Sequence, residues 1–203
     1  MTATDAGQSD APAGSGRLRR AALWAGPVGV VVSALGIFLP VLLAPWFSWT
    51  GNALSHLGRA GEATAPLFNG GLVVAGLLGL AFAARVWLAA ENTLGRLGVV
   101  LLALSFANMA LVGVFALPHD LHGPVAVAFF LSFTYGLFVH GSGDALAGHR
   151  RRGLLSIWLG IAHITGWLLF AAAPFDGIAL PELVGSAALA TWVLVTFRAL
   201  GAR

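Results

Sequence analysis

The chain has no cysteine and no lysine, and only 9% of its 203 residues are charged. Without cysteine there is no disulfide, no thiolate metal centre and no thiol nucleophile. A soluble domain carries about 25% charged residues. The scarcity here, with 58% hydrophobic residues and a mean hydropathy of +0.87, excludes an ordinary soluble enzyme, a disordered regulator and a secreted disulfide scaffold. Walker loops, G-x-S-x-G elbows and dinucleotide fingerprints are also missing.

What is present is a series of long apolar runs. They cover roughly 21–44, 66–88, 96–117, 124–143, 153–173 and 181–198. Each is close to the roughly 20 residues that cross about 30 Å of hydrocarbon as a helix. The first is too long for the apolar core of a signal peptide, about 7–15 residues. The expected fold is therefore all-α: a polytopic membrane protein whose six-helix transmembrane domain fills 21–203. Residues 1–20 are small and polar and read as a disordered cytoplasmic tail.

All 11 basic residues are arginine. Arg17, Arg19, Arg20, Arg85, Arg96, Arg150, Arg151, Arg152, Arg198 and Arg203 fall on one side of the expected spans, and Arg59 alone on the other. Arginine beside spans marks the cytoplasmic face, so both termini are expected inside a cell (plasma) membrane. This topology, not nucleic-acid binding, accounts for a pI near 11.0.

Gly71, Ala75, Gly79 and Ala83 recur every fourth residue in the second span. Lipid gives helices no hydrophobic reason to associate, so small-residue stripes that let backbones approach supply the contact. The stripe suits packing inside one bundle or a homo-oligomer.

Polar residues concentrate on the outer side. In the first loop, Trp46, Phe47 and Trp49 suit the headgroup region. Residues Asn52 to Leu57 are expected to form helical turns closed by Gly58 in a left-handed conformation, with Asn52 and His56 on one face. The turn Pro118-His119-Asp120-Leu121-His122-Gly123-Pro124 gathers two imidazoles and a carboxylate. His119, His122 and Asp120 are candidate zinc ligands, although their spacing matches no specific metal motif, and hydrogen bonding or helix capping explains them equally. His56, Asp176 and Glu182 fall on the same side. Two intramembrane polar residues, Asn108 and His163, lie near mid-depth; ionisable groups there are costly and usually face protein. A hydrogen bond from His163 to Asn108 or to a Ser or Thr would lower that cost.

The string Phe47-Ser48-Trp49, Asn52-Ala53-Leu54-Ser55-His56-Leu57-Gly58 and Leu67-Phe68-Asn69-Gly70-Gly71-Leu72 resembles domain-of-unknown-function family 998, as does the Pro118–His122 turn. These are six-helix prokaryotic membrane proteins without an established activity. The resemblance implies a fold and a location, and marks Trp49, Asn52, Ser55, His56 and Asn69 as candidate binding residues. The family often has an acid where this chain has His56.

Two functions follow as expectations. One is a membrane protein that binds lipid or a membrane partner through the outer polar cluster. The other is an outer-leaflet hydrolase or transferase using His56, His119, Asp120 and His122, with or without zinc. A transporter fits less well, because no internal repeat is visible.

Overall fold

The computed structural model describes residues 13–202. It contains helices α1 (Ala13–Leu43), α2 (Ala65–Trp87), α3 (Thr93–Val114), α4 (His122–Leu146), α5 (Arg150–Ala171) and α6 (Ala179–Gly201), with a short 3₁₀ turn at Leu54–Gly58. All six helices are long and apolar enough to cross a membrane. The tail expected over residues 1–20 lies outside the described residues as far as residue 12, and from Ala13 the chain is helical.

The helix ends follow from local chemistry. Asn92, in extended conformation, accepts a hydrogen bond from Gly95 N (2.7 Å) and caps α3. Pro66 occupies the first turn of α2, where its missing N–H leaves no bond unmade. Inside α1, Pro27 and Pro40 deprive the carbonyls of Leu23 and Gly36 of their usual helical donors.

Each helix packs on its neighbours in sequence, and α6 returns to α1, closing a ring with its slimmest contact at that seam. The core holds Phe82, Leu102, Phe133, Leu137 and Trp192. The exterior is as apolar as the interior: Leu42, Trp158 and Leu169 are 79%, 63% and 69% exposed. A soluble monomer does not carry such a continuous surface; a lipid-facing one does.

The small-residue stripe packs within the chain. Gly71 meets Gly36 of α1 so closely that a Cβ on either would lie 2.8–3.0 Å from the other's Cα, and Gly79 makes room for the Phe106 ring. Ala75 and Ala83 are buried beside them.

Candidate functional site

Three loops meet at one end of the ring. The first runs between α1 and α2, the second between α3 and α4, and the third between α5 and α6. Ala60 N donates to Leu117 O (2.8 Å), joining the first to the second. Gly177 N donates to Thr50 O (2.8 Å), and Ile178 N and Ala179 N both donate to Asn52 O (3.0 and 2.9 Å), joining the first to the third. Gly177 permits this: a Cβ there would lie 2.2 Å from Asn52 N.

The first loop is held mainly by its own polar groups. Asn52 Oδ1 accepts from Ser48 N (2.8 Å), and Asn52 Nδ2 donates to His56 Nδ1 (3.2 Å), as their shared face predicts. Ala53 N reaches the same ring nitrogen at 3.4 Å. Burial, then the Arg59 guanidinium, then His122 hold the His56 imidazole below its ordinary pKa. Asn69 Nδ2 donates to Gly58 O (2.8 Å), and Thr64 Oγ1 donates to Leu57 O (2.7 Å), seating the 3₁₀ turn on α2. Trp49 stacks edge-on against Phe47 at 5.3 Å.

The expected left-handed cap at Gly58 is corrected. Its φ is not positive; the positive-φ glycines are Gly61 and Gly148. Glycine is needed at 58 for space, because a Cβ would lie 2.2 Å from Asn69 Oδ1 and 2.6 Å from Phe68.

The second loop splits its histidines. His119 is exposed, accepts from Leu121 N (3.1 Å) and stacks on Phe115 at 4.9 Å. Asp120 and Asp176 are exposed. His122 is buried and its Nδ1 lies 2.8 Å from Phe115 O. A carbonyl only accepts, so Nδ1 carries the proton. Among the described residues no three His, Asp or Glu side chains converge as a metal-binding group.

The residue that sequence reasoning undervalued is Glu182. It sits in the first turn of α6, 8% exposed, and its Oε2 accepts a 2.6 Å hydrogen bond from Leu54 N. That bond ties α6 to the 3₁₀ turn. With Ser55, His122 and Ser186, Glu182 borders a cavity of about 50 Å³. Its sequence signal was an acid just inside a span with no basic residue near it in the chain.

This small cavity adjoins a larger one. Ile37, Leu72, Met109, Phe129 and Ser186 line both it and a cleft of about 170 Å³ walled by α1, α2, α3, α4 and α6. The cleft runs along α1 from Gly26 to Phe38, about 18 Å at 1.5 Å per residue. Phe38 and Ala187, on either side of the α1/α6 seam, are exposed, so the cleft reaches the apolar exterior.

The model of the family described as Protein of unknown function (DUF998) matches residues 27–199. The chain belongs to that family. No curated protein and no solved structure matches it. In this DUF998 chain the matched span takes in the three loops and every residue lining the two cavities except Gly26.

The intramembrane polar residues lie elsewhere and are satisfied. Asn108 Nδ2 donates to Leu104 O of its own helix (2.9 Å). His163 pairs with Thr134, not with Asn108. Trp167 Nε1 donates to His163 Nε2 (2.9 Å), which places the ring proton on Nδ1, 2.8 Å from Thr134 Oγ1. Thr134 Oγ1 in turn donates to Phe130 O (2.8 Å). Every polar atom of the imidazole is therefore used.

Proposed function

We propose that this protein binds a membrane lipid, with its polar head at the loop end of the ring and its chain in the cleft behind. The observation that carries this reading is the adjacency of the two cavities: an apolar cleft open at the α1/α6 seam shares five lining residues with a small chamber bordered by Ser55, His122 and Glu182. Ligand sites of this kind are mostly apolar with a few placed polar groups. The arginine asymmetry supports setting this end outside, with both termini in the cytoplasm of a cell membrane. The interfacial ring cluster Trp46–Phe47–Trp49 agrees with a headgroup-level position for the first loop.

The test is native mass spectrometry of protein released gently from detergent, with Ala34→Phe and Ala190→Phe variants that fill the cleft. The wild type is expected to retain one lipid per chain and the folded variants to lose it. A wild type that carries no lipid, or variants that retain it in full, would sink the reading.

A further inference from the structure

We propose that the arginine end carries a site for an anionic phospholipid, its phosphate held by Arg150 and Arg151 over the groove between α5 and α6. The site lies at the opposite end of the ring from the loop-end chamber and stands independently of it. Arg150, Arg151, Arg152 and Leu155 of α5, with Val195 and Ala199 of α6, border a wide open depression of about 580 Å³. No acid lines it. Among the described residues the acids at this end are Asp144 and Glu91, and both are engaged. Asp144 takes two hydrogen bonds from Arg152, and Glu91 Oε1 lies 2.9 Å from His149 Nε2. Arg150 and Arg151 are exposed and enter none of the ion pairs among the described residues. Two guanidiniums therefore border the depression without a counter-charge.

Topology asks only for arginine near the span ends. Arg85, Arg96 and Arg198 meet that requirement without lining the depression. It does not ask for consecutive guanidiniums beside an apolar wall, and the wall is the second half of the recognition. Arg151 and Leu155 stand four residues apart on one face of α5, as Val195 and Ala199 do on α6. Toward mid-span Leu154, Trp158 and Leu194 are exposed, giving acyl chains an apolar surface to lie on. A guanidinium presents paired donors that fit phosphate oxygens, and arginine at the membrane surface is drawn to anionic lipid. A zwitterionic head carries its own compensating ammonium and gains less from this field. A soluble phosphate would meet the arginines and leave the wall unused.

The experiment titrates the full chain in detergent with phosphatidylglycerol and, separately, with phosphatidylcholine of the same chains. Native mass spectrometry counts the lipids bound per chain. Phosphatidylglycerol is expected to fill the site at about tenfold lower concentration. Arg150→Gln with Arg151→Gln should abolish that preference and still fold, since neither side chain has an ion-pair partner to lose. Arg150→Lys with Arg151→Lys keeps the charge and loses the paired donors, so the preference should shrink. Equal binding of the two lipids by the wild type, or a preference unchanged in the Gln variant, overturns the proposal. A full preference in the Lys variant would mean a diffuse positive surface and overturns the phosphate site. Displacement of the lipid by glycerol phosphate, a head without chains, would make the ligand a soluble phosphate and overturns the lipid assignment. In Ala34→Phe, whose cleft is filled, the arginine-dependent preference should persist, whether or not the cleft binds lipid. Its loss there would place the anionic lipid in the cleft and overturn the assignment to this end.

Discussion

The two ends of the ring treat their ionisable groups differently. At the arginine end, Asp144 takes two charge-assisted hydrogen bonds from Arg152, at 2.5 and 2.6 Å, and lies 3.6 Å from His140 Nε2. His149 Nε2 lies 2.9 Å from Glu91 Oε1. Asn92 caps α3 and donates to Gly143 O of α4 (2.7 Å). Charges there meet opposite charges; the enclosed hollow beside Asp144 is only about 10 Å³, while His149 and Arg150 to Arg152 border a wide open depression of about 580 Å³. At the loop end Glu182 is buried against a backbone N–H, His122 against a carbonyl, and the space beside them adjoins the apolar cleft. Paired polar groups hold helices together at the arginine end, with buried His140 Nε2 left without a hydrogen bond. Half-saturated ones beside a cavity are what a ligand site looks like.

The largest effect that can break this contrast comes from removing one partner at each end. Asp144→Ala strands the Arg152 guanidinium against the ends of α3 and α4. Losing one member of a buried pair costs about 3–5 kcal/mol; with Arg152 17% exposed, the expected loss is about 3 kcal/mol. Glu182→Gln keeps the acceptor for Leu54 N and should cost less than about 1 kcal/mol. Unfolding titrations in mixed micelles measure both. Equal losses would mean that Glu182 is as structural as Asp144, and the contrast between the ends would be false.

Much of the architecture was legible in the sequence, because apolar length is nearly sufficient to define a membrane helix. All six runs became helices, with ends displaced by a few residues where caps decide them. The exception is α1, which begins at Ala13 because its small and polar first residues still accept helical geometry. The site was legible only in part. Asn52 and His56 meet because four residues separate them on a helical face. The joining of the three loops was not readable, since it depends on backbone groups of Thr50, Asn52 and Leu117 that no side-chain pattern announces. The split between exposed His119 and buried His122 arises because a tight turn aims residues three apart in different directions. Glu182 looked like one carboxylate among several until the partner 128 positions away in the chain was visible.

A middle-sized effect asks whether saturation, rather than position at an end, is what makes a polar group structural. His163 lies between the two ends, with both ring nitrogens bonded and the Phe130 and Phe133 rings each 5.3 Å away. Thr134→Val keeps the shape and removes the acceptor for Nδ1–H. The expected loss is about 1 kcal/mol, since interhelical hydrogen bonds in membranes average about 0.6 and reach about 1.7 kcal/mol. Lipid retention should be unchanged, because neither Thr134 nor His163 lines a cavity. Loss of lipid in a folded Thr134→Val protein would show that the His163 network serves the site.

The smallest expected effect separates the wet rim of the loop end from its buried chamber. The His56 imidazole is held below its ordinary value of 6.5 by burial, by Arg59 and by His122, in that order. A histidine whose pKa is lower folded than unfolded binds fewer protons when folded. Its contribution is therefore fully present above pH 6.5 and is lost as the pH falls through the lower, folded value. The structural cause is local: protonating Nδ1 removes the acceptor used by Asn52 Nδ2 and Ala53 N. Because the residue is only part-buried, the decline should be a modest fall in melting temperature on acidification, and His56→Gln should flatten it. A profile that stays the same in His56→Gln would assign the acid sensitivity to other groups. Lipid retention should change little over the same range, since His56 lines neither cavity. If binding and melting temperature fall together in the wild type and both become flat in His56→Gln, the rim and the chamber act as one unit, and the ligand's head reaches past Ser55 to the first loop.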